Sequence, residues 1–177
     1  DIVFAESVGE GSFGTVFKAT WGSRLVAAKT VRTTKINVTT LKRFKGEVVV
    51  MAPLHHPNLV NMLGACWTDG PDKLCLVLEF CARGDLRSVL NDREGTELKW
   101  DRRLGMIDGI MRGLAYLHSL RTIHRDLKPG NILLDRGAEP RALLGDFGIA
   151  RVLGSGPSSA TATHMQRPFA LRRTTMP

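Results

Sequence analysis

A chain of 177 residues suits one ordinary domain or two small lobes, and 43% hydrophobic against 24% charged residues is enough apolar material for a packed core, which argues against disorder. No apolar run approaches the ~20 residues that span a bilayer, and the start DIVFAESVGE, acidic and soon polar, is unlike a signal peptide. The net charge of +8 does not read as a nucleic-acid surface: four arginines from residue 147 onward supply half of it, Arg32, Lys35, Lys42, Arg43 and Lys45 straddle a helix start, and neither set carries stacking aromatics.

Residues 1–21 read as two strands around a glycine-rich turn, and residues 23–31 as a third strand that ends its apolar run on a single lysine. The chain begins abruptly inside a strand, which leaves an upstream membrane anchor open. The spacing of Leu41, Phe44, Val48 and Met51 predicts a helix over 39–54, stopped by Pro53 and weakened at Gly46 by up to ~1 kcal/mol relative to alanine. Two further strands, 58–67 and 73–81, flank the turn TDGPD. A short helix at 86–92 follows, then a longer one over 100–120. There Leu104, Ile107, Met111, Leu114 and Leu117 form a stripe at steps of three and four. Gly105, Gly109 and Gly113 share another line of that helix, as if a neighbouring element came close. Cys66, Cys75 and Cys81 sit in apolar contexts at spacings that match no zinc pattern, and read as buried free thiols in a reducing compartment. Strands with one helix first and helices later make an α+β layout of two lobes, joined near 79–84. From residue 154 onward the periodicity disappears, as in a loop or disordered tail.

Three stretches carry chemistry. In GEGSFGTV (9–16), Gly9, Gly11 and Gly14 let a hairpin fold closely over phosphates, with backbone N–H groups aimed at the oxygens. A dinucleotide site wants a helix after such a motif, whereas here a strand follows; a purely structural hairpin is the plainer alternative. Lys29 closes the strand VAAK and is either a solvated strand end or the partner of Glu47, 18 residues on, in which case it is a fixed charge suited to phosphate oxygens. In IHRDLKPGNILLD (123–135), Asp126 can accept or orient the proton of an attacking hydroxyl. Lys128 can neutralise a phosphoryl group in transfer, and the amide oxygen of Asn131 suits a hard Mg²⁺ ion. Twenty residues after Asp126, the stretch GDFG offers the carboxylate of Asp146 for the same metal.

The ordered set G-x-G-x-x-G-x-V, V-A-x-K, helix glutamate, H-R-D-L-K-P-x-N and D-F-G resembles the eukaryotic protein kinases, from about residue 6 to Arg151. HHPNLVNMLGAC and LVLEFCARGDL look most like the tyrosine-kinase-like group of serine/threonine kinases, and Lys128 within DLKPGN favours Ser/Thr substrates. The resemblance implies a two-lobed fold. Its N-lobe and hinge would occupy 1–81, with an antiparallel sheet and one helix; a partial, mainly helical C-lobe would occupy 82–151, and an atypical, disordered tail 152–177. It implies catalytic roles for Asp126, Lys128, Lys29 and Glu47, and metal ligation by Asn131 and Asp146. ATP would be held by Gly9, Gly11, Ser12, Gly14, Val16, Ala27, Lys29, Leu78 (the gatekeeper), Leu133 and the backbone of Glu79 and Cys81. Asp85 would reach the ribose. Met51, His124 and Phe147 would form a packed column, and Arg125 would pair with a regulatory phosphate.

The implied activity is phosphoryl transfer from MgATP to Ser/Thr hydroxyls of a protein substrate, in the cytoplasm or on the cytoplasmic side of a membrane receptor. The alternative is a non-catalytic fragment that binds ATP weakly or acts as an interfering module. No A-P-E motif follows Arg151, and the reading is of a kinase domain cut short after D-F-G. On that reading the helix at 100–120 keeps an apolar face on water. Roughly 400 Å² left exposed forfeits on the order of 10 kcal/mol, so chaperone dependence is expected.

Overall fold

Short apolar runs, LVAA in RLVAAKTV and CLVL in CLVLE, build a sheet with one closed face. The computed structural model describes residues 1–11, 14–31, 38–66, 74–92, 98–148 and 150–153. Among these, Asp1–Val48 with Met62–Glu79 form one compact unit, and Val49–Asn61 with Phe80–Val152 form another.

The first unit is a five-stranded antiparallel sheet: β1 (Ile2–Gly11), β2 (Gly14–Trp21), β3 (Arg24–Val31), β4 (Met62–Cys66) and β5 (Cys75–Glu79), in the order β1-β2-β3-β5-β4. The β2–β3 connection is two residues long, with Trp21 opposite Arg24, and Gly22 takes a φ of 61° that a side chain would resist. Ala19, Val26, Ala28, Cys75 and Val77 are buried on one face, with Ile2, Phe17, Leu63 and Cys66 packed against them. Helix α1 (Val38–Met51) begins in this unit. Phe44 and Met51 are buried and Leu41 and Val48 half-buried, as its spacing requires, while Gly46 faces solvent.

The second unit holds α2 (Leu86–Asn91), α3 (Trp100–Ser119), β6 (Thr122–Ile123), a 3₁₀ turn at Pro129–Asn131, β7 (Ile132–Leu134), β8 (Ala142–Leu144) and β9 (Arg151–Val152). β7 and β8 pair antiparallel, and β6 pairs with β9. Residues 58–60, expected to begin a long strand, instead run along β8. The Leu144 amide donates to the Asn58 carbonyl at 2.9 Å, and the Val60 amide donates to the Leu144 carbonyl at 2.8 Å. This is why residues 49–61 pack with the second unit rather than with the sheet that precedes them.

α3 turns its glycines inward. Met106, Gly109, Gly113 and Leu117 are its buried residues, whereas Leu104, Ile107 and Met111 stand 48%, 51% and 59% exposed. The aliphatic stripe therefore faces solvent over most of its length, and the glycine line is the packing surface. A Cβ on Gly113 would lie 2.9 Å from the Asn58 carbonyl oxygen and 3.1 Å from a Leu144 methyl, while one on Gly105 would meet nothing within 4 Å. Residues 12–13, the turn TDGPD and the tail from residue 154 lie outside the described residues.

This packing predicts opposite signs for two alanine substitutions on one helix. Gly113→Ala must displace a backbone carbonyl and should cost ~1–3 kcal/mol. Gly105→Ala should gain up to ~1 kcal/mol of helix propensity. Urea unfolding midpoints check both, and equal shifts would contradict the packing.

Candidate active site

In the first unit, strand register collects several of the singled-out residues on the sheet face opposite the closed core. Val16 pairs with Lys29, Lys29 with Leu76, and Ala27 with Leu78. Directly opposed residues share a face and alternate residues along a strand return to it, so Val16, Ala27, Lys29 and Leu78 stand together. All four are half-buried. Along the glycine-rich stretch Gly9 stands opposite Val16 and Gly11 opposite Gly14; Ser12 lies outside the described residues. Lys29 Nζ donates to Glu47 Oε1 at 2.8 Å, with the two side chains 15% and 13% exposed. At that depth a carboxylate partner keeps the ammonium aimed.

In the second unit the site is a loop. Asp126 Oδ2 accepts from Lys128 Nζ at 2.6 Å and from Asn131 Nδ2 at 2.8 Å, and the same Nδ2 donates to the Asp126 carbonyl at 2.8 Å. The 3₁₀ turn, opened by Pro129, brings Asn131 back over Asp126. The Lys128 bond first, and the Asn131 bond second, hold the Asp126 carboxyl below the usual aspartate range. A carboxylate so held is ionised at neutral pH, and its bonds are lost only as pH falls through the lowered value. Its side chain is 32% exposed and so remains within reach of a substrate.

His124, only 2% exposed, spans two segments. Its Nδ1 accepts from the Asp126 amide at 3.3 Å, which places the proton on Nε2, and Nε2 donates to the Gly145 carbonyl at 2.9 Å. Its ring packs on Phe147 with centroids 5.2 Å apart. The Gly145 amide donates to the Asn131 carbonyl at 2.9 Å, which ties the backbone before Asp146 to the loop that carries Asp126. Met51 is buried in the same unit. Arg125 and Asp146 adopt φ of 70° and 58°, left-handed conformations that non-glycine residues rarely take.

Leu78 and Glu79 end β5, and Cys81 is buried just beyond it. Leu133 lies on β7 and is bridged to Asp85. Asp85 caps α2, its two carboxylate oxygens accepting from the Ser88 amide at 3.0 Å and the Ser88 hydroxyl at 2.9 Å. An aspartate immediately before a short helix is a capping signal in its own right. Asn58 was not anticipated as a positioning residue. Its side chain donates to the Ala142 carbonyl at 3.0 Å and lies against Gly109, so it sets the spacing between α3 and β8.

Among the described residues no group of three His, Cys, Asp or Glu side chains gathers to hold a metal. Asn131 donates both of its side-chain bonds from Nδ2, and its amide oxygen and the Asp146 carboxylate are hard oxygen donors in kind. Two hard oxygen donors fit a divalent cation that takes its remaining ligands from phosphate and water.

The family model described as protein kinase domain matches residues 2–169. The match runs past Arg151, where the motifs stop. The chain is 44% identical over 164 residues to cysteine-rich receptor-like protein kinase 14 of Arabidopsis thaliana, covering 89% of this chain and 24% of that one. It is 41% identical over 166 residues to a G-type lectin S-receptor-like serine/threonine-protein kinase of the same plant, covering 91% and 19%. Cysteine-rich receptor-like protein kinase 45 is 37% identical over 167 residues, covering 92% and 46%. The chain thus spans about a quarter of the first of these relatives.

The loop geometry predicts that Asn131→Ala raises the Asp126 carboxyl pKa toward the ordinary aspartate value, because one of its two stabilising donors is lost. A carbon-detected NMR titration of the Asp126 carboxyl measures it; an unchanged midpoint would contradict the network.

Proposed function

This chain belongs to the protein kinase domain family, and from that premise we propose that it transfers the γ-phosphoryl group of ATP to serine or threonine hydroxyls of a protein substrate. The observation that carries the reading is the triple hold on Asp126 by Lys128, Asn131 and, through its amide, His124. Together these fix one ionised carboxylate at an exposed loop position.

Asp126 would accept the hydrogen bond of the incoming hydroxyl. With its pKa lowered it is a weak base, so its first contribution is to orient the oxygen toward phosphorus, and it takes the proton late, as the P–O bond to the leaving group lengthens. Lys128, already in contact with Asp126, would neutralise the transferring phosphoryl group. Lys29, aimed by Glu47, would hold the α- and β-phosphates, while backbone N–H groups of Gly9, Gly11, Ser12 and Gly14 would cover them. Val16, Ala27 and Leu133 would enclose the adenine, with Leu78 as gatekeeper and the backbone of Glu79 and Cys81 on its edge. Asn131 and Asp146 would hold the divalent ion, Mg²⁺ by the hardness of their oxygens, which supplies charge neutralisation on the phosphates.

Serine and threonine specificity is supported by Lys128 within DLKPGN and by the printed description of a relative as a serine/threonine-protein kinase. Action in the cytoplasm, or at the cytoplasmic side of a receptor, accords with relatives named receptor-like. No helix among the described residues is long and apolar enough to cross a membrane. The outward aliphatics Leu104, Ile107 and Met111 support chaperone association during folding.

Transfer of radiolabelled γ-phosphate to a generic protein substrate tests the proposal. The chain should label serine and threonine but not tyrosine, and Asp126→Asn should lower the rate by ~10²–10⁴-fold. Equal labelling by both proteins would overturn it.

A further inference from the structure

Two of the three cysteines face each other across a strand pair. Cys66, at the end of β4, is the register partner of Cys75, at the start of β5. Directly opposed residues of an antiparallel pair have Cα atoms ~4.5–5.5 Å apart and side chains on the same face, inside the ~4.4–6.8 Å window of a disulfide. The Cys75 S–H donates to the Leu76 carbonyl at 3.6 Å. Both are free thiols, Cys75 buried and Cys66 half-buried, so only one sulfur is open to a reagent.

We propose that Cys66 and Cys75 are a dithiol site that a low-molecular-weight disulfide, such as oxidised glutathione, converts reversibly to a cross-strand disulfide. The inference stands apart from the kinase reading, since the pair lies on the sheet face away from Lys29: Cys75 pairs with Thr30, and Lys29 with Leu76.

The Cys66 thiolate attacks one sulfur of the small disulfide, forming a mixed disulfide and expelling one small thiolate. Cys75 then attacks the Cys66 sulfur and expels the second small thiolate, and the two protein protons end on the two released thiols. Two electrons pass from the cysteine pair to the reagent. The roles follow from the environment. Cys66 is the more exposed sulfur, and its interaction with Cys75 holds its thiol below the ordinary range, which favours the attacking thiolate there. The interaction with Cys66, and then burial, raises Cys75, which makes it the resolving rather than the attacking sulfur. Cys75 reacts second because its partner is already beside it.

The full chain, folded, is treated with oxidised glutathione, denatured and alkylated. The proposal expects one alkylated thiol instead of three, an intact mass lower by two hydrogens, and the tryptic peptides 46–73 and 74–83 joined by a bond that fragmentation places on Cys75. Dithiothreitol should restore three thiols. Cys66→Ser should keep both remaining thiols alkylatable, and Cys75→Ala should retain glutathione on Cys66. Three reactive thiols after treatment, glutathione retained on wild-type Cys66, a link through Cys81, or a link that forms only in urea would each overturn it.

Discussion

The bond from His124 Nε2 to the Gly145 carbonyl is the constraint on which the second unit's chemistry depends. It joins two loops that are 21 residues apart in the chain, one carrying Asp126, Lys128 and Asn131, the other Asp146. Because the opposite ring nitrogen accepts from the Asp126 amide, a single buried imidazole fixes both loops at once. The β7–β8 ladder and the bond from the Gly145 amide to the Asn131 carbonyl continue the same tie. Arg125 and Asp146, each next to one anchor of this bond, hold left-handed φ values that cost on the order of 1 kcal/mol apiece. A backbone strained in this way persists only where the surroundings over-determine it, and the buried His124–Phe147 pair does so here.

The first unit meets a different demand. A sheet must bury one face to be stable, yet a site needs a face left partly open. Register resolves this: Val26, Ala28 and Val77 go to the closed core, while Ala27, Lys29 and Leu78 go to the other side. A one-residue slip would exchange the two sets, so the tight Gly22 turn and the long β2–β3 pairing matter to the site as well as to stability. Cys66 and Cys75 share the face of the closed core, which explains why their chemistry is separate from that of Lys29.

Much of this was legible from local pattern. The strands β1 to β3, helix α1 with its Pro53 stop, and the motif residues all follow from short-range periodicity and spacing, and Lys29 does meet Glu47. Features that depend on partners far along the chain were not. The glycine line of α3 signals a close neighbour in the sequence, yet the identity of that neighbour, Asn58 with β8 against Gly109 and Gly113, is set only by the fold. The strand expected over 58–67 is divided for the same reason: Asn58 finds Ala142, 84 residues on, and only Met62–Cys66 is left to pair with β5.

The central claim is that Asn131 and Asp146 present their oxygens to one divalent ion on a loop pair held by His124. Paramagnetic broadening by Mn²⁺ with ATP, read on assigned side-chain and backbone resonances of the full chain, tests this directly. The account predicts that the Asn131 amide and the Gly145 and Asp146 backbone signals broaden together at low Mn²⁺. Sharp Asn131 and Asp146 signals at saturating Mn²⁺ and ATP would contradict it.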